Sequence, residues 1–324
     1  MDRTLNVSVV QMPVGTAKQN LKYLKDSIDG LMTGYIRPEL VIGVEFGISF
    51  APQPLHNPNT EFLSALARKH HIYLIPGTMA ESHPSLPEGH YYNTCPVFGP
   101  DGSMIAVYRK RTPYWPEEPS APGPNEGGCL IDIPEKNIKL GLMICYEQFF
   151  PEIPRALAME GAELIVCPSL DNVEFAHIPD ILPRARALEN EAYYIWTNSA
   201  GPGSHGTYCG RSIFVGPEGE VLHQCGSTPE IVTKTLNIDR VQEKRSIGAD
   251  QHLASLRRFG ICNPYDGHWE NAPVYRTMPP LTETPQQYEQ RLKDQHQQAF
   301  SGGADDAENF EKMEEAMEML LKTL

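Results

Sequence analysis

Apolar residues along the chain repeat with two periods, and the switch between them marks out strands and helices. LNVSVVQM (5–12) reads as a strand. The next segment spaces Thr16 and Gln19 as a capping box and sets Leu21, Leu24, Ile28 and Leu31 on one face, which predicts a helix. ELVIGVE (39–45) is apolar almost throughout, the pattern of a strand covered on both faces. A helix near 60–71 leads to the strand IYLIPGT, and YYNTCPVFG and SMIAVYRK (103–110) flank the turn GPDG as a hairpin. Residues 113–128 contain five prolines and read as a stiff loop. CLIDI, the turn PEKN and the strand KLGLMIC (139–145) follow, then a helix over roughly 151–160 with Pro151 near its first turn and Gly161 as its stop. AELIVCPS, a helix over about 179–192, and YYIWTN continue the alternation; TYCGRSIFVG, EVLHQC and EIVTKTLNI complete the strands.

The pattern β-α-β-α-β followed by paired strands occurs twice, so the expected architecture is α/β, two similar halves stacked sheet to sheet with helices outside. From 239 onward the sequence reads as irregular until ENFEKMEEAMEMLLKTL, where Phe310, Met313, Met317, Leu320 and Leu324 form one helical stripe. Residues 1–265 are expected to form the main domain. Residues 266–324 are expected to be an extension whose amphipathic helix docks on the core or on a neighbouring subunit.

Composition narrows the classes. The formal net charge of −14 on 324 residues argues against nucleic acid and anionic membrane as partners, since both need clustered Lys and Arg. Residues 281–324 contribute ten acidic and four basic side chains, a net −6. No apolar run has the length of a membrane span, and the N-terminus reads as a strand rather than a signal peptide. The seven cysteines lack CxxC spacing, so free thiols and a cytoplasmic location are expected. There is no HExxH, P-loop or GxGxxG, and no cofactor or metal is expected.

Three strands end in residues that are costly to bury: ELVIGVE at Glu45, SMIAVYRK at Lys110 and KLGLMIC at Cys145. In sheets flanked by helices, ligands bind beyond the carboxyl ends of strands, so these side chains can converge. A lysine beside a thiol favours the thiolate, and a carboxylate can take the thiol proton and pass it on.

CYEQFFPE (145–152) resembles the nucleophile segment of the nitrilase superfamily of carbon-nitrogen hydrolases: Cys, aromatic, acid, two residues, aromatic, Pro-Glu. YRK after the Tyr-Asn-Thr strand resembles that family's lysine segment, and VIGVE its glutamate segment, with Val44 where the family more often has Pro. RARALENEAYYIWTNSAG and GRSIFVGPEGE are similar to two further family blocks. The resemblance covers roughly residues 5–265. It implies a four-layer α-β-β-α sandwich, Glu45, Lys110 and Cys145 as a catalytic triad, and a homo-oligomer of dimer size or larger.

The Pro-rich loop is similar to that of the aliphatic amidase and formamidase branch, which implies Glu118, eight residues after Lys110, as a second functional glutamate. That branch carries an acidic pair where Tyr146 and Glu147 stand, and an aromatic pocket residue where Asp171 stands. Expected substrate contacts are Glu118, the backbone of Tyr146, Phe46, Tyr114, Trp115 and Asp171, the last suited to a cationic or hydroxyl-bearing substrate. The expected reaction is hydrolysis of a small non-peptide amide, a small-molecule partner, through a cysteine thioester. The same thioester chemistry serves N-carbamoyl amines, nitriles or acyl transfer. A catalytically silent ligand-binding relative is the reading without chemistry.

Overall fold

The first strand finds a partner along both edges, and that sets the order of a whole sheet. The computed structural model describes residues 3–114, 119–124, 128–203, 206–247 and 252–253. β1 (Thr4–Gln11) pairs in parallel with β2 (Leu40–Gln53), and β2 in parallel with β3 (Tyr73–Glu81). β4 (Tyr91–Phe98) and β5 (Met104–Arg109) continue the sheet as the expected hairpin, and β6 (Ser120–Ala121), inside the Pro-rich loop, adds two residues beside β4. Parallel neighbours need crossovers. These are α1 (Ala17–Leu31), opened by the Thr16–Gln19 capping box, and α2 (Pro58–His70), capped by Asn57 with proline in its first turn.

The second half repeats the scheme. β7 (Cys129–Ile133) and β8 (Ile138–Leu142) are antiparallel; β8, β9 (Leu164–Ser169) and β10 (Tyr193–Asn198) are parallel, with α3 (Glu152–Met159) and α4 (Leu182–Asn190) as crossovers. β11 (Ala200–Gly203) and β12 (Gly206–Cys209) form a separate ribbon, and β13 (Ile213–Val215) and β14 (Val221–Gln224) extend the sheet beyond β10. β15 (Glu230–Asn237) then returns to the first sheet and pairs antiparallel along all of β1.

Side-chain alternation along these strands builds three cores. Leu5, Val7, Val9, Leu40 and Ile42 of the first sheet pack with Leu140, Leu142, Leu164, Val166 and Ile195 of the second. The opposite face of the first sheet, through Val10, Val41 and Leu74, covers Leu21, Leu24 and Ile28 of α1 and Leu63 and Leu66 of α2. Ile165, Tyr194 and Trp196 meet Leu157 of α3 and Ala187 of α4 on the far side. This is the expected α-β-β-α sandwich, with one apolar layer between each pair of neighbours.

Several boundaries differ from the pattern-based reading, each for a local reason. β2 does not stop at Glu45 but kinks at Phe46 (φ 52) and runs to Gln53. β8 ends at Leu142, so Cys145 opens a 3-10 turn (Cys145–Phe149) rather than closing a strand. TYCGRSIFVG is broken into β12 and β13 by two consecutive left-handed residues, Gly210 (φ 65) and Arg211 (φ 64). Residues 239–247, read as irregular, form α5 (Asp239–Ile247), which buries Val241 and Lys244. The division near 265 and the C-terminal helix lie outside the described residues.

The kink in β2 depends on Gly77 of β3. A Cβ there would sit 1.8 Å from the carbonyl oxygen of Val44, and its φ of 98 disfavours any other residue. Gly77→Ala is expected to lower stability by at least about 2 kcal/mol, read as a shift of the urea midpoint, because strand separation and backbone conformation are both disturbed. An unchanged midpoint would mean that β2 and β3 need no such close approach.

Candidate active site

Glu45 directly precedes the kink in β2. Phe46 donates its backbone N–H to Thr78 Oγ1 (2.8 Å), and its carbonyl accepts from Asn20 Nδ2 (3.3 Å), so a sparsely populated conformation is held from two sides. Glu45 is 1% exposed. Its Oε1 accepts from Lys110 Nζ at 2.9 Å and from Asn93 Nδ2 at 2.8 Å. Lys110 is fully buried just past the end of β5, and its backbone N–H donates to the carbonyl of Asn93 (2.8 Å). Asn93 therefore holds both members of the ion pair, one through its side chain and the other through its backbone. Asparagine is depleted in strand interiors, and that was the available signal for its role.

Cys145 also adopts a left-handed conformation, φ 48, at the start of its 3-10 turn. Glu147, two residues on, explains how this turn is fixed. Its fully buried carboxylate accepts from the N–H of Ile144 (2.8 Å), of Arg111 (2.7 Å) and of Thr112 (3.3 Å), and from the Tyr108 hydroxyl (2.9 Å to each oxygen). Ile144 precedes Cys145 and Arg111 follows Lys110, so one side chain ties the Cys145 turn of one sheet to the lysine end of the other. Burial raises the Glu147 pKa, and the N–H donors and the Tyr108 hydroxyl pull against that rise. Arg186, from the RARALENEA block, secures the turn from beneath by donating to the carbonyls of Gln148 (2.7 Å) and Phe149 (3.4 Å).

Asp171 lies beyond the end of β9 with its Oδ1 3.3 Å from Cys145 Sγ, which donates to it. Tyr146 stacks in an aromatic group with Phe149 and Phe150, and edge to face with Tyr114 (5.3 Å), which also meets Phe175 (6.1 Å). The Phe46 ring stacks on Phe50 (4.4 Å) and meets Tyr91 in the outer core. Glu118 and Trp115 lie outside the described residues. Sequence reasoning therefore named Glu45, Lys110, Cys145 and Asp171 but passed over Asn93, Glu147 and Arg186.

The remaining described thiols are of another kind. Burial pushes Cys129, Cys167 and Cys225 up to about 12 and Cys209 up to about 11, and lifts Cys95 well above its ordinary value. Among the described residues, His223, Cys225 and Glu230 bring three potential metal ligands within 4.8 Å of one another. His223 and Glu230 hydrogen-bond to each other (3.3 Å), and Glu230 accepts from the Gly226 N–H (3.0 Å), so the group closes the β14–β15 hairpin on itself.

The site is thus a thiol on a left-handed turn, tied through one carboxylate to the end of the strand that carries the lysine of a buried lysine–glutamate pair. The chain belongs to the carbon-nitrogen hydrolase family, which its residues 6–246 match. It is 32% identical over 215 residues to omega-amidase NIT2 of Pongo abelii, covering 62% of this chain and 75% of that protein. Its structure is similar to Saccharomyces cerevisiae Nit3, a member of branch 10 of the nitrilase superfamily (TM-score 0.67, 28% identity, 75% of this chain and 93% of that one). It is also similar to a mutant amidase from Nesterenkonia sp. AN1 that carries the acetamide moiety of fluoroacetamide on its active site cysteine (TM-score 0.64, 25% identity, 79% and 96% covered).

Glu147→Gln keeps the shape but turns an NH2 toward either the Ile144 or the Arg111 N–H, donor against donor. The expected loss is about 1–3 kcal/mol in denaturant titration, with the Cys145 turn the first region to gain hydrogen exchange. Full retention of stability and protection would show that the carboxylate does not link the two strand ends.

Proposed function

We propose that this enzyme hydrolyses a small linear amide to the carboxylic acid and ammonia through a thioester on Cys145. The observation that carries the reading is the buried Glu45–Lys110 pair, bonded at 2.9 Å and linked through Glu147 to the Cys145 turn. Glu45 takes the thiol proton as Sγ attacks the carbonyl carbon. Lys110 and the N–H of Tyr146 hold the oxyanion, one such donor being worth about 3 kcal/mol of barrier. Glu45 then gives its proton to the departing nitrogen, the C–N bond breaks, and the thioester remains. Water attacks the thioester, Glu45 takes its proton, and that proton returns to sulfur as the acid leaves. Glu118 positions the amide or the water, and Tyr114 and Trp115 wall the pocket. The names of the amidase relatives, and the cysteine adduct formed by one of them, support the same chemistry.

The proposed assembly is a homo-oligomer, and the exposed Met159, Ile181 and Leu188 around α3 and α4 are apolar side chains that such an interface would cover.

Formamide, acetamide, propionamide and butyramide, assayed by ammonia release beside an N-carbamoyl amine and a nitrile, test the reading. The expected result is turnover of at least one amide, with Cys145→Ala lowering kcat/KM by at least about a thousandfold. Turnover confined to the nitrile or the N-carbamoyl amine would overturn it, as would hydroxamate replacing acid as the main product when hydroxylamine is present at low concentration.

A further inference from the structure

Asp171 sets a carboxyl group beside the Cys145 thiol, a group that the proposed hydrolysis of a plain amide does not use. Its Oδ1 is 3.3 Å from Cys145 Sγ and the residue is 8% exposed. Two negative charges at that separation repel, so an ionised Asp171 opposes the developing thiolate. The position is nonetheless built with care. The fully buried Asn198 clamps the Asp171 backbone, accepting from its N–H through Oδ1 (2.7 Å) and donating to its carbonyl through Nδ2 (3.0 Å). The Cys209 N–H donates to the same carbonyl at 3.0 Å. A carboxylate held so firmly at the reacting atom fits a substrate that brings the opposite charge.

Resting on the amidase reading, we infer that the acyl group of the substrate carries an ammonium on the carbon α or β to the amide carbonyl, and that Asp171 binds it. Once the carbonyl carbon is in contact with sulfur, a nitrogen two or three bonds further along the acyl chain comes within hydrogen-bond reach of Oδ1, about 2.7–2.9 Å for an ammonium–carboxylate pair. The loop that Asp171 opens also carries Phe175, whose ring meets Tyr114, which in turn meets Tyr146 next to the nucleophile. Aromatic faces attract cations, and a chain of net charge −14 draws cationic ligands over longer range. When the ammonium takes over Oδ1, the thiol hydrogen bond to Asp171 is released and the S–H proton is free to pass to Glu45. Substrate charge thus removes the repulsion at the moment the thiolate forms.

L-Alaninamide and isobutyramide have nearly the same shape and differ in an ammonium replacing a methyl. At about pH 6.5, where an α-amino group is protonated, the wild-type enzyme is expected to turn over alaninamide with a kcat/KM at least about tenfold higher. Lactamide should fall between the two. Asp171→Asn should abolish the preference, lowering the alaninamide-to-isobutyramide ratio of kcat/KM by at least about tenfold. Equal or better turnover of isobutyramide by the wild type overturns the inference and leaves the amidase reading standing. So does an Asp171→Asn variant that slows both amides alike, since the carboxylate then serves the sulfur or the fold.

Binding supplies the readout that does not need turnover. Cys145→Ala should bind alaninamide at least about tenfold more tightly than isobutyramide by calorimetry, and Cys145→Ala/Asp171→Asn should not. If neither amide is hydrolysed but this binding preference holds, the cationic ligand class stands, and the amidase reading falls only if the four simple amides are left untouched as well. If neither is hydrolysed and binding shows no preference, the inference is wrong.

Discussion

Two opposite charges buried side by side govern the layout of this molecule. Glu45 and Lys110 are 1% and 0% exposed, and each would be costly in this position without the other. Stripping one of its partner in such a setting typically costs about 3–5 kcal/mol, so the surrounding structure has to deliver both to the same point. The β2 kink, the close approach of Gly77 and the double use of Asn93 serve that requirement on the first sheet. The arrangement favours chemistry over stability, since a pair of apolar residues would fill the same volume more cheaply. The proposed roles of Glu45 as acid and base and of Lys110 as oxyanion partner give a use for charges that cost folding energy there.

The second sheet supplies the sulfur, and the two sheets meet in the apolar layer built from Leu5, Ile42, Leu142 and Val166 among others. Stacking alone leaves the register of one sheet over the other loosely specified. Glu147 sharpens it by gathering backbone donors on both sides, next to Lys110 and next to Cys145. The Cys145 turn is then held from below by Arg186 and faces Asp171 on the clamp made by Asn198. Positive φ at both Phe46 and Cys145 marks where the backbone leaves regular geometry to present these groups.

Much of this was legible in the chain before folding. Continuous apolar runs such as VIGV and LIVC locate strands covered on both faces, and the polar residues that close such runs mark the candidate site even where the strand itself ends elsewhere. The capping box at Thr16 and Gln19 marks the start of α1 because its donors and acceptors are neighbours in sequence. What was not legible depends on distant partners. β2 continues past Glu45 only because Thr78 and Asn20 hold Phe46, and neither is near it in the chain. Glu147 reads as an ordinary acid after a cysteine, since its donors on Arg111 and Thr112 lie some 35 residues upstream. α5 has no apolar stripe to give it away; its helix rests on the tertiary contacts of Val241 and Lys244. Local rules find elements, and long-range hydrogen bonds decide where those elements bend.

Among the described cysteines, Cys145 opens a left-handed turn that Glu147 ties to the Lys110 end of β5, while burial raises the pKa of Cys95, Cys129, Cys167, Cys209 and Cys225. Alkylation of the intact enzyme with iodoacetamide near neutral pH, followed over time by peptide mass mapping, tests this without any substitution. The account predicts that label reaches Cys145 at least about tenfold sooner than Cys95, Cys129, Cys167, Cys209 and Cys225. Label arriving at Cys145 no faster than at those five would contradict it.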